Sequence, residues 1–104
     1  MSFHPVASVD DVIEGHPLVV DVGGVPVCLV RTDGQVFAIN DVCSHGQVSL
    51  SEGEVDGCTL ECWLHGSRFD LRTGAPISLP AVDAVPVYAV KIEDGKILVE
   101  MPEA

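Results

Sequence analysis

The chain has 104 residues, 16 of them acidic and 5 basic, for a formal charge of -11 at pH 7. That length suits one domain able to bury roughly 65% of the surface its unfolded chain would expose, and the charge disfavours nucleic acid and anionic membrane while favouring a protein partner with a basic patch. The opening MSFHPVASVDD lacks the regions of a signal peptide, and no apolar run approaches the ~20 residues that span a bilayer. A soluble cytoplasmic protein is therefore expected, its four cysteines serving as thiols or metal ligands rather than disulfides.

In chain order, the first expected element is a helical turn over Val9 to Glu14, with Ser8 as its cap and Gly15 and Pro17 closing it. Three strands rich in β-branched residues follow, Leu18 to Val22, Val25 to Val30 and Val36 to Ile39. Gly23-Gly24 and Asp33-Gly34 separate them, which predicts an antiparallel meander. From Asp41 to about Pro80 the grammar changes to turn residues and Cys/His pairs. Here Glu54-Val55-Asp56-Gly57 reads as a turn leading into a strand over Thr59 to Glu61. A second hairpin is expected from Val87 to Ile92 and Ile97 to Val99 around Glu93-Asp94-Gly95-Lys96. Val87 and Ala89 alternate there against Tyr88, Val90 and Ile92. With no linker or repeat, residues 1-104 read as one all-β domain carrying a small subdomain, about 41-80, inserted between the hairpins.

Inside that insertion lie two tight pairs, Cys43 with His45 and Cys62 with His65, which use half of the four cysteines and half of the four histidines. Loops at the ends of one small sheet would bring the pairs side by side. Two thiolates and two imidazoles suit tetrahedral zinc or an iron-sulfur cluster with mixed ligands. The one-residue spacing of Cys43-Ser44-His45 is tight for two ligands on a single ion and suits two different metal ions better.

The segments CSHG at 43-46 and CWLHGSRFD at 62-70, with sixteen residues between His45 and Cys62, resemble the signature of Rieske-type [2Fe-2S] proteins. Thr73-Gly74, Leu79-Pro80-Ala81 and the run from Val85 to Lys91 extend the likeness to the small Rieske ferredoxins of bacterial ring-hydroxylating oxygenases, over nearly the whole chain. The resemblance implies a Rieske-like antiparallel β-sandwich holding one [2Fe-2S] cluster. It assigns Cys43 and Cys62 to the inner iron and His45 and His65 to the outer one. It further implies that Gly46 and Gly66 let the backbone turn close to the cluster, that Leu64 shields it from water, and that Pro80 covers the remaining side. Two thiolates leave the oxidised centre neutral where four would leave it doubly negative, so reduction is easier. His ligation accordingly lifts the potential from about -400 mV to roughly -150 to +300 mV. Imidazole deprotonation on ferric iron should lower it again at alkaline pH.

Respiratory Rieske proteins carry an extra cysteine in each loop. This chain has Leu64 in the second loop and Gln47, Val48 and Ser49 in the first. High-potential members also place a Ser and a Tyr after the second pair to donate hydrogen bonds to the cluster; Ser67 matches, whereas Phe69 cannot donate. The resemblance thus points to the ferredoxin branch and to the lower part of the potential range.

Cys28, within a strand, reads as core, and Cys58 as packing near the site; His4 and His16 read as surface residues, and Trp63 as a docking surface or a lid. No nucleotide-binding motif is present and no room exists for a catalytic iron domain, so the chain is expected to carry electrons without catalysis. It would act as a monomer between a flavin-dependent ferredoxin reductase and a terminal oxygenase, with Glu52, Glu54 and Asp56 guiding encounters. Alternative readings are a Rieske protein of another redox system, such as a nitrite reductase small subunit or iron-sulfur assembly, and a zinc-stabilised interaction module.

Overall fold

A computed structural model describes residues 2-32, 34-42, 49-62, 68-77 and 84-101. Among the described residues there are ten strands: β1 (Ser2–Ser8), β2 (Leu18–Val22), β3 (Val25–Thr32), β4 (Gln35–Asn40), β5 (Glu54–Asp56), β6 (Thr59–Glu61), β7 (Arg68–Asp70), β8 (Val87–Tyr88), β9 (Val90–Glu93) and β10 (Lys96–Met101). They form three sheets, ordered β1-β10-β9, β2-β3-β4-β8 and β5-β6-β7.

Strand β3 explains how the sheets are layered. Its residues Val27, Cys28, Leu29 and Val30 are all buried, although successive side chains on a strand point to opposite faces. Both faces of the central sheet are therefore covered. Val27 and Leu29, with Ala38 of β4, pack against Ile97, Val99 and Met101 of β10. Cys28 and Val30, with Ile39 of β4, pack in a second core with Leu50, Leu60, Cys62, Phe69, Leu71 and Val85. The register sets this division, since Cys28 lies opposite Ile39 and Leu29 opposite Ala38.

The meander β2-β3-β4 forms as the sequence predicts, antiparallel throughout. Other elements differ from expectation. The helical turn over Val9 to Glu14 contracts to one 3-10 turn, Val9–Asp11, where the Asp11 carboxylate accepts from the Ser8 N–H at 3.1 Å. The residues that follow bind the sheet instead: Glu14 bridges to Arg31, and the Gly15 N–H donates to the Arg31 carbonyl at 2.9 Å. The expected hairpin around 93-96 forms, with Ile92 opposite Ile97, but its first arm, Val87 to Ile92, is divided at Ala89. Strand β8 joins β4 in the central sheet, while β9 pairs with β10 in the outer one. Tyr88 and Val90 still pack inward, but Ile92, beyond the switch, is 49% exposed. Strands that change sheets in this way make the corners of a sandwich.

Residues 54-57 are not a simple turn: Glu54–Asp56 is strand β5, and the reversal falls at Gly57-Cys58, between the paired Asp56 and Thr59. Two further strands, β1 and β7, are absent from the sequence reading. β1 contains Pro5, tolerated because β1 is an edge strand whose register shifts between Pro5 and Ala7. The Thr32 hydroxyl donates to the Gly57 carbonyl at 2.9 Å and so fastens the small sheet to the end of β3.

Candidate metal centre

The small sheet is a three-strand ladder with alternation legible even at three residues per strand. Val55, Leu60 and Phe69 lie opposite one another and turn into the second core. On the other face, Glu54, Glu61 and Arg68 form one row, and Asp56, Thr59 and Asp70 the next. Arg68 pairs with Asp56 at 2.9 Å and Glu61 at 3.4 Å. Asp56 is thus already engaged by a cation, while Glu52 and Glu54 are exposed.

Of the ten residues that the resemblance assigns to the site, Cys62 and Phe69 fall among those described. Cys43, His45, Gly46, Leu64, His65, Gly66, Ser67 and Pro80 lie outside them, as does Trp63. Cys62 follows directly on β6, is fully buried, and shares its core with Phe69 and Cys28. Phe69 fills the core behind Cys62 with a ring that offers no hydrogen-bond donor.

The anchors of the loops are described even where their tips are not. Val42 and Ser49 bridge antiparallel across 43-48. Glu61 pairs with Arg68 across the segment that contains Cys62 and His65. Before 78-83, the Ile77 N–H donates to the Arg68 carbonyl at 2.7 Å; after it, the Val85 N–H donates to the Gly74 carbonyl at 2.9 Å. Arg68 and Ile77 are thereby neighbours, so the second and third loops leave from adjacent points.

Two glycines bring these anchors close. Gly53, four residues after Ser49, has ordinary negative φ, but a Cβ there would run into the carbonyl oxygen of Glu61, the residue before Cys62. Its need for glycine is steric, since it lets the return from the first loop lie against the strand that leads into the second. Gly74 needs glycine twice over: its φ is +75°, and a Cβ would strike the Val85 carbonyl. Its N–H donates to the Asp70 carbonyl at 2.7 Å, closing the turn after β7.

Two residues before the first pair stands Asp41, a residue the sequence marked only as a boundary. It is 2% exposed. Its carboxylate accepts from the Ser51 N–H at 2.8 Å and its carbonyl from the Leu50 N–H at 2.6 Å, while its own N–H donates to the Pro26 carbonyl at 2.9 Å. These bonds hold the 3-10 turn Leu50–Glu52 against the central sheet. Next to it, the Asn40 side chain accepts from the Val42 N–H at 2.9 Å and donates to the Tyr88 hydroxyl at 3.2 Å. Burial pushes the Cys28 thiol far above its ordinary range, and the charge of Asp41 pushes it further. Cys28 is thus a neutral packing group, as its strand position predicts. Cys58 sits in the β5-β6 turn, its carbonyl accepting from the Leu71 N–H at 2.8 Å, and His4 and His16 are exposed.

A buried sulfur donor at a strand end, beside a loop return packed against that strand, suits a centre held by soft ligands between two loops. Within an all-β three-sheet architecture, that is the arrangement an iron-sulfur electron-transfer domain requires. The chain belongs to the Rieske [2Fe-2S] domain family, which matches residues 2–89. Its cofactor is accordingly a Rieske-type [2Fe-2S] cluster. The 3-phenylpropionate/cinnamic acid dioxygenase ferredoxin subunit of Escherichia coli strain K12 is 46% identical over 101 residues, 96% of this chain and 92% of that protein. The ferredoxin of carbazole 1,9a-dioxygenase from Nocardioides aromaticivorans IC177 superimposes with a TM-score of 0.90 at 40% identity, covering 95% of this chain and 97% of that one. A structure of the complex of reduced oxygenase and oxidized ferredoxin in carbazole 1,9a-dioxygenase contains a chain matching with a TM-score of 0.88 at 36% identity, over 93% of this chain and all of that one. The protein is an electron carrier rather than a catalytic enzyme. Among the described residues, no helix is long and apolar enough to cross a membrane.

Proposed function

We propose that this protein is the soluble, cytoplasmic ferredoxin of a ring-hydroxylating dioxygenase system, receiving single electrons from a flavin-dependent reductase and delivering them to a terminal oxygenase as a monomer. Residues 1-104 act as a single domain in this reading, with about 41-80 as its cluster-binding part. The observation that carries the reading is the meeting of anchors around buried Cys62, in a chain 46% identical to a dioxygenase ferredoxin subunit.

Cys43 and Cys62 would supply thiolates to one iron and His45 and His65 imidazoles to the other. A bound cluster supplies one-electron chemistry at a potential raised by its histidine ligands. The chain's own residues do the rest. The apolar packing of Leu60, Phe69 and Leu71 behind Cys62 keeps water from the thiolate side. Gly46 and Gly66 would allow close backbone approach, Leu64 and Pro80 would cover the loops, and Ser67 would donate a hydrogen bond that Phe69 cannot duplicate. Glu52 and Glu54, exposed at the return from the first loop, would steer a basic partner.

The test is purification followed by reduction. A red-brown protein with two irons and two acid-labile sulfides, the paramagnetic resonance of a histidine-ligated cluster, and reductase-dependent electron delivery to a dioxygenase terminal component are expected. A colourless zinc protein would refute the reading. A cluster-loaded chain that reduces a nitrite reductase but no dioxygenase would redirect it to the other redox system.

A further inference from the structure

We infer that Asp41 is a positioning residue for the first cluster loop and a fixed negative charge that holds down the reduction potential, a role that rests on the cluster-binding reading above. The geometry is specific. Asp41 lies two residues before Cys43, and its carboxylate accepts from the Ser51 N–H across that loop. Its backbone grips both sides, accepting from Leu50 beyond the loop and donating to Pro26 on the central sheet. One residue therefore fixes where the loop departs and where it returns. Asn40 complements it on the outgoing side through Val42, but uses a neutral amide and reaches Tyr88.

A neutral acceptor could make the same bond to Ser51, so the carboxylate at this position has a second consequence. Asp41 is 2% exposed and close enough to Cys28 for its charge to act on the thiol. Cys28 and Cys62 belong to one buried cluster of side chains. A charge so buried is poorly screened, and this one lies two residues from Cys43. Reduction adds one negative charge to the centre, and a nearby buried anion opposes that addition.

Two substitutions separate the roles. Asp41→Asn keeps an acceptor for the Ser51 N–H but removes the charge. The loaded protein should retain wild-type iron and sulfide, and its midpoint should rise by about the equivalent of a tenfold change in the reduction equilibrium, about 59 mV for one electron. Asp41→Ala also removes the acceptor, so exchange of the Ser51 amide hydrogen and the rate of cluster bleaching should each rise about tenfold or more, the Asn variant restoring both. An unchanged midpoint in Asp41→Asn overturns the electrostatic role. Wild-type exchange and bleaching in Asp41→Ala, or an Asn variant that bleaches as fast as Ala, overturns the positioning role. Should the Ala variant fail to fold, the midpoint and bleaching rate of the Asn variant decide. Absence of the cluster from the wild-type chain would instead refute the underlying functional reading.

Discussion

The two cores of this molecule share the strands β3 and β4 but are built on different terms. The core between the outer and central sheets is long-stranded, lined by Val27, Leu29, Ile97 and Val99, and closed by ladders such as the six paired positions of β3 with β4. The core behind the candidate metal centre is assembled from three-residue strands and loop returns, with Leu50, Leu60, Phe69 with Leu71, and Val85 arriving from four short segments. The first is stabilised by sheet continuity. The second depends on single contacts, among them Gly53 on Glu61, Gly74 on Val85, Thr32 to Gly57 and Asp41 to Ser51. Dividing the work this way lets one side hold the fold while the other holds the loop anchors together.

Truncating one leucine in each core is the severest test of this division. Leu29→Ala and Leu60→Ala should each cost about 2–5 kcal/mol. Leu29→Ala should lower the melting of the whole chain, whereas Leu60→Ala should raise hydrogen exchange in 49-62 and 68-77 ahead of global unfolding. Identical exchange patterns would mean that the two cores are one cooperative unit. Next in size is Gly53→Ala, expected to cost about 1–3 kcal/mol through overpacking against the Glu61 carbonyl. Because φ at Gly53 is compatible with alanine, wild-type iron content and melting temperature would show that the approach of the two loop anchors is not constrained. Thr32→Val removes the bond to the Gly57 carbonyl and should cost about 1 kcal/mol, read as a lower urea midpoint at constant slope. The smallest effect belongs to the surface. Replacing Glu52 and Glu54 by Gln should slow electron delivery several-fold at low salt, with the difference fading near 0.15 M, where the Debye length is about 8 Å. Equal rates at low salt would remove these carboxylates from partner steering.

The same contrast governs what was legible in the sequence. Strands β2, β3 and β4 declare themselves because β-branched runs alternate with glycine-containing turns. The short strands β5 and β7 carry one inward residue apiece, Val55 and Phe69, too few to establish a period of two. The four Cys and His positions were visible as spaced motifs. The supports were not: Asp41 marked only the start of the insertion, and Gly53 belonged to no motif. Their significance lies in contacts with Ser51 and Glu61, which no local pattern encodes. The split at Ala89 was equally hidden, because both halves of 87-92 are β-forming and only their partners differ.

In the outer sheet, Ser2 lies directly opposite Met101, on β1 and β10. This sheet packs on the face of the central sheet turned away from the core that contains Cys62. The two ends of the described strands thus form a doorway on one side, while Cys62 lies in the core on the other. Such a unit can be spliced into a larger polypeptide through that doorway, or closed into a ring and reopened elsewhere, with little strain reaching the core around Cys62.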